Sequence, residues 1–269
     1  MNKRVVMVLV DGMRPDGMLT CGNPYVETFL KEAACDLKGR TVFPSVTLPC
    51  HMSLFHSVDP QRHGITTNVY TPMVRPIDGL FEQLDKFDKK CAFFNTWEEL
   101  RDLSRPDHLW HYEFENQHKQ KDTDNRITDR AIDYIREQRP DFTFVYLGET
   151  DEVGGHDSGW MSETYLGCIR KAWDCIHRIA DVLTEEDTLI VLADHGGHDR
   201  VHGTEMDEDM TIPICFRGRG FSAGTALTGC CIKDVAPTIC ALLGVPAAKG
   251  WEGKTDLSYI DYMKEGFYE

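Results

Sequence analysis

Short, unbroken apolar runs recur along the chain, and helix-like stretches separate them. Residues 4–10, 91–94, 142–147, 188–193 and 212–216 carry no internal alternation, the pattern of strands buried on both faces. Between them the period changes to that of a helix. In residues 162–183, Tyr165, Ile169, Ala172, Trp173, Ile176, Ile179, Ala180 and Leu183 fall on one helical face. In residues 123–138, Ile127, Ala131, Tyr134 and Ile135 do the same. Residues 234–243 read as a short helix, with Pro237 in its first turn and Gly244 as its stop. Alternation of this kind predicts an α/β fold: a mainly parallel central sheet with helices on both faces. Residues 97–121 break the pattern. They are rich in charge and aromatics and read as an insertion or lid-like excursion. No linker divides the chain, so residues 1–269 are read as one domain.

Three of the apolar runs lead into an acid. Residues 5–10 run directly into Asp11, residues 188–193 directly into Asp194, and residues 142–147 reach Asp151 after a short turn. In parallel sheets, ligand sites form beyond the carboxyl ends of the strands. Any one of these acids alone reads as a helix cap or turn residue. Together they would put three like charges in one crevice, which requires a neutralising partner. Histidines supply the rest of a metal-binding set: His156 in TDEVGGHDSG, His195 in ADHGGH and His202 in VHGTEMDEDM. Three Asp and three neutral His suit a pair of divalent ions. Mixed nitrogen and oxygen donors favour zinc, and manganese or iron also fit. His198 reads as a loop or supporting residue, and His51, His56 and His63 lie outside the set.

Thr47 opens a helix-like turn in TVFPSVTLPCHMSLF. It reads either as an ordinary helix start or as a nucleophile whose phosphoryl target would face the helix N–H groups.

The chain has 269 residues and a net charge of −15, with 41% apolar and 27% charged residues. That composition excludes wholesale disorder and argues against a nucleic-acid coat or a binder of acidic membranes. It does not exclude a small anionic phosphorylated substrate, because two divalent ions against three carboxylates leave a positive site. No apolar run is long enough to span a membrane, and residues 5–10 are too short for a signal-peptide core. A cytoplasmic location is expected. The ten cysteines contain no CxxC pair and read as thiols, mostly small core residues.

VDGMRPD at Asp11, FPSVTLPCH at Thr47, HGITTN at Asn68, YLGETDEVGGH at Asp151, ADHGG at Asp194 and HG at His202 follow one another in order. In that order they resemble the alkaline phosphatase superfamily, most of all its nucleotide pyrophosphatase/phosphodiesterase branch. KDVAPTICALLGVP is similar to that family's C-terminal helix. The resemblance implies an alkaline-phosphatase-like metallohydrolase that cleaves phosphodiester or pyrophosphate bonds through a covalent phospho-threonine on Thr47. It implies one metal held by Asp151, His156 and His202, and another held by Asp11, Asp194, His195 and the Thr47 oxygen. Asn68 would donate to a non-bridging oxygen with help from the Leu48 N–H, and Tyr146 matches a pocket-wall aromatic.

The departures from the family pattern carry information. Asp151 and His156 are five residues apart, where the family keeps four. Leu48 stands where nucleotide-handling members carry an aromatic. Sulfatases use a modified Cys or Ser in a CxPxR-type motif, whereas this chain has Thr47, Pro49 and His51 there. No Arg of the kind monoesterases add can be picked out. The alternatives are a phosphomonoesterase, a phosphonoacetate-type hydrolase and a non-catalytic phosphate-binding module. Trp160 and Trp97 are further candidates for the pocket lining.

Overall fold

The computed structural model describes residues 3–105, 107–218 and 220–255. The single-domain reading of 1–269 also takes in residues outside that set. Among the described residues, seven strands form one sheet in the order β2-β7-β6-β1-β5-β3-β4. They are β1 (Val5–Val10), β2 (Ala33–Arg40), β3 (Cys91–Asn95), β4 (His111–Phe114), β5 (Phe142–Leu147), β6 (Thr188–Leu192) and β7 (Thr211–Gly218). β1 runs parallel to β5 and β6, and β3 runs parallel to β5 and β4. β7 is the reversed strand, antiparallel to both β6 and β2. The fold is therefore α/β with a mostly parallel sheet. Every residue of β1 and β5 is buried, so both faces of the sheet centre are covered.

The helix over Thr123–Gln138 has the expected bounds. The long amphipathic helix spans Glu163–Ala180, and the Ser162 side chain caps it by accepting from the Tyr165 N–H. Leu183 lies beyond its end and packs against the core from the following turn. Near the C-terminus a 3₁₀ turn, Ile232–Asp234, precedes the helix Val235–Leu242. Gly244 follows with a φ of 68°, a left-handed conformation that glycine adopts without strain.

Residues 97–121 contribute the 3₁₀ helix Glu98–Leu103 and the strand β4. β4 pairs with β3, and Leu100 and Leu103 are buried, so part of this segment extends the sheet. Among the described residues no helix is long and apolar enough to cross a membrane.

Candidate metal centre

The sheet order puts β6, β1 and β5 side by side and in parallel, so their carboxyl ends open on one edge. Asp11 follows β1, and its N–H still bonds to the Leu147 carbonyl of β5 at 3.0 Å. Asp194 and His195 follow β6. Asp151 lies three residues beyond Gly148, in a π-helical turn over Thr150–His156. That turn accounts for the unusual spacing. A π turn closes i→i+5 bonds rather than i→i+4, so residues five apart, Asp151 and His156, can face the same site. The helix Thr47–His56 begins at Thr47, whose side chain does not cap it. Thr47 Oγ1 lies instead 3.1 Å from His195 Nε2.

The expected acids and histidines converge. His195 Nε2 is 3.3 Å from Asp11 Oδ1 and 3.4 Å from Asp194 Oδ2. His156 Nε2 is 3.4 Å from Asp151 Oδ2, and His202 Nε2 is 3.9 Å from Asp151 Oδ1. The His195 and His202 rings stack with centroids 3.9 Å apart. Two compact donor groups result: Asp11 with Asp194 and His195, and Asp151 with His195 and His202. His195 belongs to both, a sharing that the sequence reading did not anticipate. His156 faces Asp151 from the half-exposed rim of the second group.

Backbone carbonyls fix the tautomer of all three rings. Nδ1 of His156 lies 3.0 Å from the Arg200 carbonyl, that of His195 2.8 Å from Gly196, and that of His202 2.8 Å from Ser45. Each Nδ1 therefore carries the proton, and each Nε2 presents a lone pair to the carboxylates, as metal-binding imidazoles do. Asp11 Oδ1, Asp151 Oδ1 and Asp194 Oδ2 are buried without a hydrogen-bond partner. Unpartnered carboxylate oxygens beside imidazole lone pairs are a costly arrangement in isolation, and divalent cations would satisfy it. The donor set fits two such ions.

The electrostatics agree. Burial, reinforced by the neighbouring carboxylates, pushes the Asp11 and Asp151 carboxyls well above their usual range; burial also raises Asp194. Burial lowers His195 to about 4 and His202 to about 3, so both rings are neutral at physiological pH. A sign follows for metal binding. With raised carboxyl pKa values, the metal-free fold holds protons that the unfolded chain has released above about pH 4. A cation must displace those protons, and fewer remain as pH rises. Zinc is therefore expected to raise the urea midpoint more at pH 7.5 than at pH 5.5. Equal gains at the two pH values would contradict this account.

Other expected residues fall elsewhere. Tyr146 is fully buried beneath the site rather than on a pocket wall, and its hydroxyl donates to Asp11 Oδ2. Near the end of β5, an interior strand between β1 and β3, it has no contact with solvent. Asn68 is exposed, and its Oδ1 accepts from the Leu48 N–H at 3.0 Å. The Leu48 N–H thus orients the amide. His198 is a supporting residue, with Nδ1 2.7 Å from Asp209. Trp97 packs against the core.

His51, set aside on sequence, is fully buried one helical turn after Thr47. Its Nδ1 lies 2.8 Å from the Thr47 carbonyl and 3.4 Å from Asp194 Oδ2. Its i+4 spacing from Thr47 was the available signal. Tyr165, expected only as a core residue, donates from its hydroxyl to the Gly12 carbonyl at 2.8 Å.

Fold and donor set together describe an α/β protein with a candidate two-metal centre at the carboxyl edge of its sheet. The comparisons agree. Residues 110–247 match the family model of the metalloenzyme superfamily, and residues 5–97 match that of type I phosphodiesterase / nucleotide pyrophosphatase. The chain belongs to the alkaline phosphatase superfamily of metalloenzymes.

Among curated proteins it is 29% identical over 134 residues to the 2,3-bisphosphoglycerate-independent phosphoglycerate mutase of Ectopseudomonas mendocina, covering 48% of this chain and 26% of that one. It is 27% identical over 133 residues to the phosphopentomutase of Acetivibrio thermocellus, covering 49% and 33%. The matches thus span only a quarter to a third of those relatives. Murine ectonucleotide pyrophosphatase / phosphodiesterase 5 superposes with a TM-score of 0.81 at 14% identity, over 96% of this chain and all of that one. The phosphonate monoester hydrolase of Silicibacter pomeroyi superposes with a TM-score of 0.76 at 13% identity, over 96% and 76%. At such identities the likeness is one of fold.

Proposed function

We propose that the protein hydrolyses phosphodiester or pyrophosphate bonds, with Thr47 as nucleophile and two divalent ions, zinc by the donor set, as cofactors. One observation carries the reading: the Thr47 hydroxyl stands at a helix start, 3.1 Å from Nε2 of His195, the residue that both donor groups share.

Asp11, Asp194, His195 and Thr47 Oγ1 would hold one ion, and Asp151, His202 and His156 the other. Bound ions would supply positive charge that acidifies the Thr47 hydroxyl and steadies the leaving oxygen. The residues do the rest. Because Nδ1 of His195 donates to the Gly196 carbonyl, its Nε2 lone pair faces the Thr47 hydroxyl oxygen, where an ion held with Asp11 and Asp194 would take both as ligands. Thr47 Oγ1, its proton released to water, attacks phosphorus in line; the P–O bond to the leaving group breaks and that oxygen departs as the alcohol or phosphate; water then cleaves the phospho-threonine, restoring Thr47 and releasing the phosphate monoester. Asn68, oriented by Leu48, donates to a non-bridging oxygen. Tyr146 holds Asp11 in place from below.

Ten free cysteines fit a reducing, cytoplasmic setting. The type I phosphodiesterase pattern over residues 5–97 supports the diester choice.

The test is a pair of specificity constants on zinc-loaded protein. We expect bis-p-nitrophenyl phosphate to be preferred over p-nitrophenyl phosphate by about a hundredfold, ~2.7 kcal/mol of transition-state binding. A monoester preference would overturn the diester reading in favour of a phosphatase. Turnover of a phosphonate alone would favour carbon–phosphorus cleavage.

A further inference from the structure

One side chain touches every loop of the centre, and the reaction described above gives it no part. The Trp160 indole is nearly buried, and its Nε1–H donates to the Gly12 carbonyl at 3.0 Å, one residue after Asp11. A Cβ added to Gly155, beside His156, would lie 2.5 Å from the ring. One added to Gly197, two residues after His195, would lie 2.2 Å from it. Both glycines are thus required by ring contact. The indole also makes T-shaped contacts with the rings of His156, at 5.3 Å and 85°, and His202, at 5.9 Å and 62°. Its own backbone N–H bonds to the Asp199 carbonyl at 2.8 Å, which ties it to the loop preceding His202.

We propose that Trp160 is a positioning residue for the metal centre. Its rigid bicyclic ring is the spacer that fixes the separation of the loops bearing Asp11, His156 and His195, and it orients the His156 and His202 rings edge-on. The proposal rests on the reading of those loops as metal-bearing. A flat ring wedged between glycine backbones transmits its thickness directly, because no flexible side chain intervenes to absorb a change. Phe in its place would lack both the N–H held by Gly12 and the second ring.

The test uses zinc alone as probe, read by competition with a chromogenic chelator and by tryptophan emission. For Trp160→Phe we expect zinc affinity ten- to a hundredfold weaker, the range seen when groups that orient metal ligands are removed. We also expect the zinc-dependent change in emission to vanish, while metal-free protein still unfolds cooperatively. A residue that only filled space would lower the metal-free unfolding temperature and leave zinc affinity untouched, and that result overturns the proposal. If Trp160→Phe does not fold, Gly155→Ala decides. A methyl pressed into the ring that weakens zinc binding at least tenfold supports the spacer role, and wild-type affinity overturns it. Wild-type protein that binds no zinc overturns the functional reading and this proposal together. Wild-type protein that binds two, with both variants unchanged, overturns this proposal alone.

Discussion

Alanine in place of Thr47 is expected to lower kcat/KM on bis-p-nitrophenyl phosphate by about 10⁴-fold, or ~5.5 kcal/mol. The reason is chemical rather than architectural. On the proposed mechanism Thr47 supplies the attacking oxygen, and its Oγ1 lies against His195 rather than capping the helix. The neighbouring donors Asp11, Asp194 and His195 remain, so the variant should still bind zinc and unfold at nearly the wild-type temperature. Thr47→Ser keeps the hydroxyl and is expected to stay within about tenfold of wild type, the small loss reflecting a freer χ1 without the branched methyl. Steady-state assays of the three proteins, with metal content measured in parallel, decide the matter. An alanine variant within tenfold of wild type would remove Thr47 from the mechanism.

The largest effect on stability is expected at the opposite end of the sheet. Arg4, just before β1, donates from Nε to Asp187 Oδ1 at 2.9 Å and from Nη2 to Asp187 Oδ2, just before β6. Both side chains are almost fully buried. Arg4 also donates to the Ile135 carbonyl, and Asp187 accepts from the Thr184 N–H and hydroxyl, each at 2.9 Å. Burial alone would raise the Asp187 carboxyl, but the Arg4 and Thr184 hydrogen bonds hold it below its usual range.

Asp187→Ala leaves a buried guanidinium without its counter-charge, and a cost of about 3–5 kcal/mol is expected. Urea unfolding at pH 7 measures it. A loss under 1 kcal/mol would mean that water or another carbonyl takes the place of the carboxylate. Specificity constants of the folded fraction should not change, since the pair lies at the far ends of β1 and β6 from the metal centre.

Much of this was legible in the chain, for identifiable reasons. β1, β5 and β6 are unbroken apolar runs because both faces of the sheet centre are covered, and each leads to an acid because the site sits at their carboxyl ends. β2 and β4 were not legible. β2 reads AACDLKGR and β4 reads HYEF; both are edge strands whose polar positions obscure the period. The direction of β7 was equally hidden, since an apolar run looks the same in either sense.

At the centre, residue types and spacing indicated the donor set but not its partition. His195 is shared between the groups and stacks on His202, a proximity that no spacing rule encodes. The five-residue interval between Asp151 and His156 was visible as an anomaly and became intelligible only as a π turn. Tyr146 was visible as an aromatic near the site, but strand alternation alone did not reveal that it points beneath it.

The Arg4–Asp187 pair and the metal centre occupy opposite ends of the same two strands. Foundation and workshop are thereby separated along β1 and β6. Sequence drift in the loops beyond the carboxyl ends can reshape what the protein acts on while the anchoring ion pair stays untouched. That separation lets the rim change nearly independently of the folding threshold.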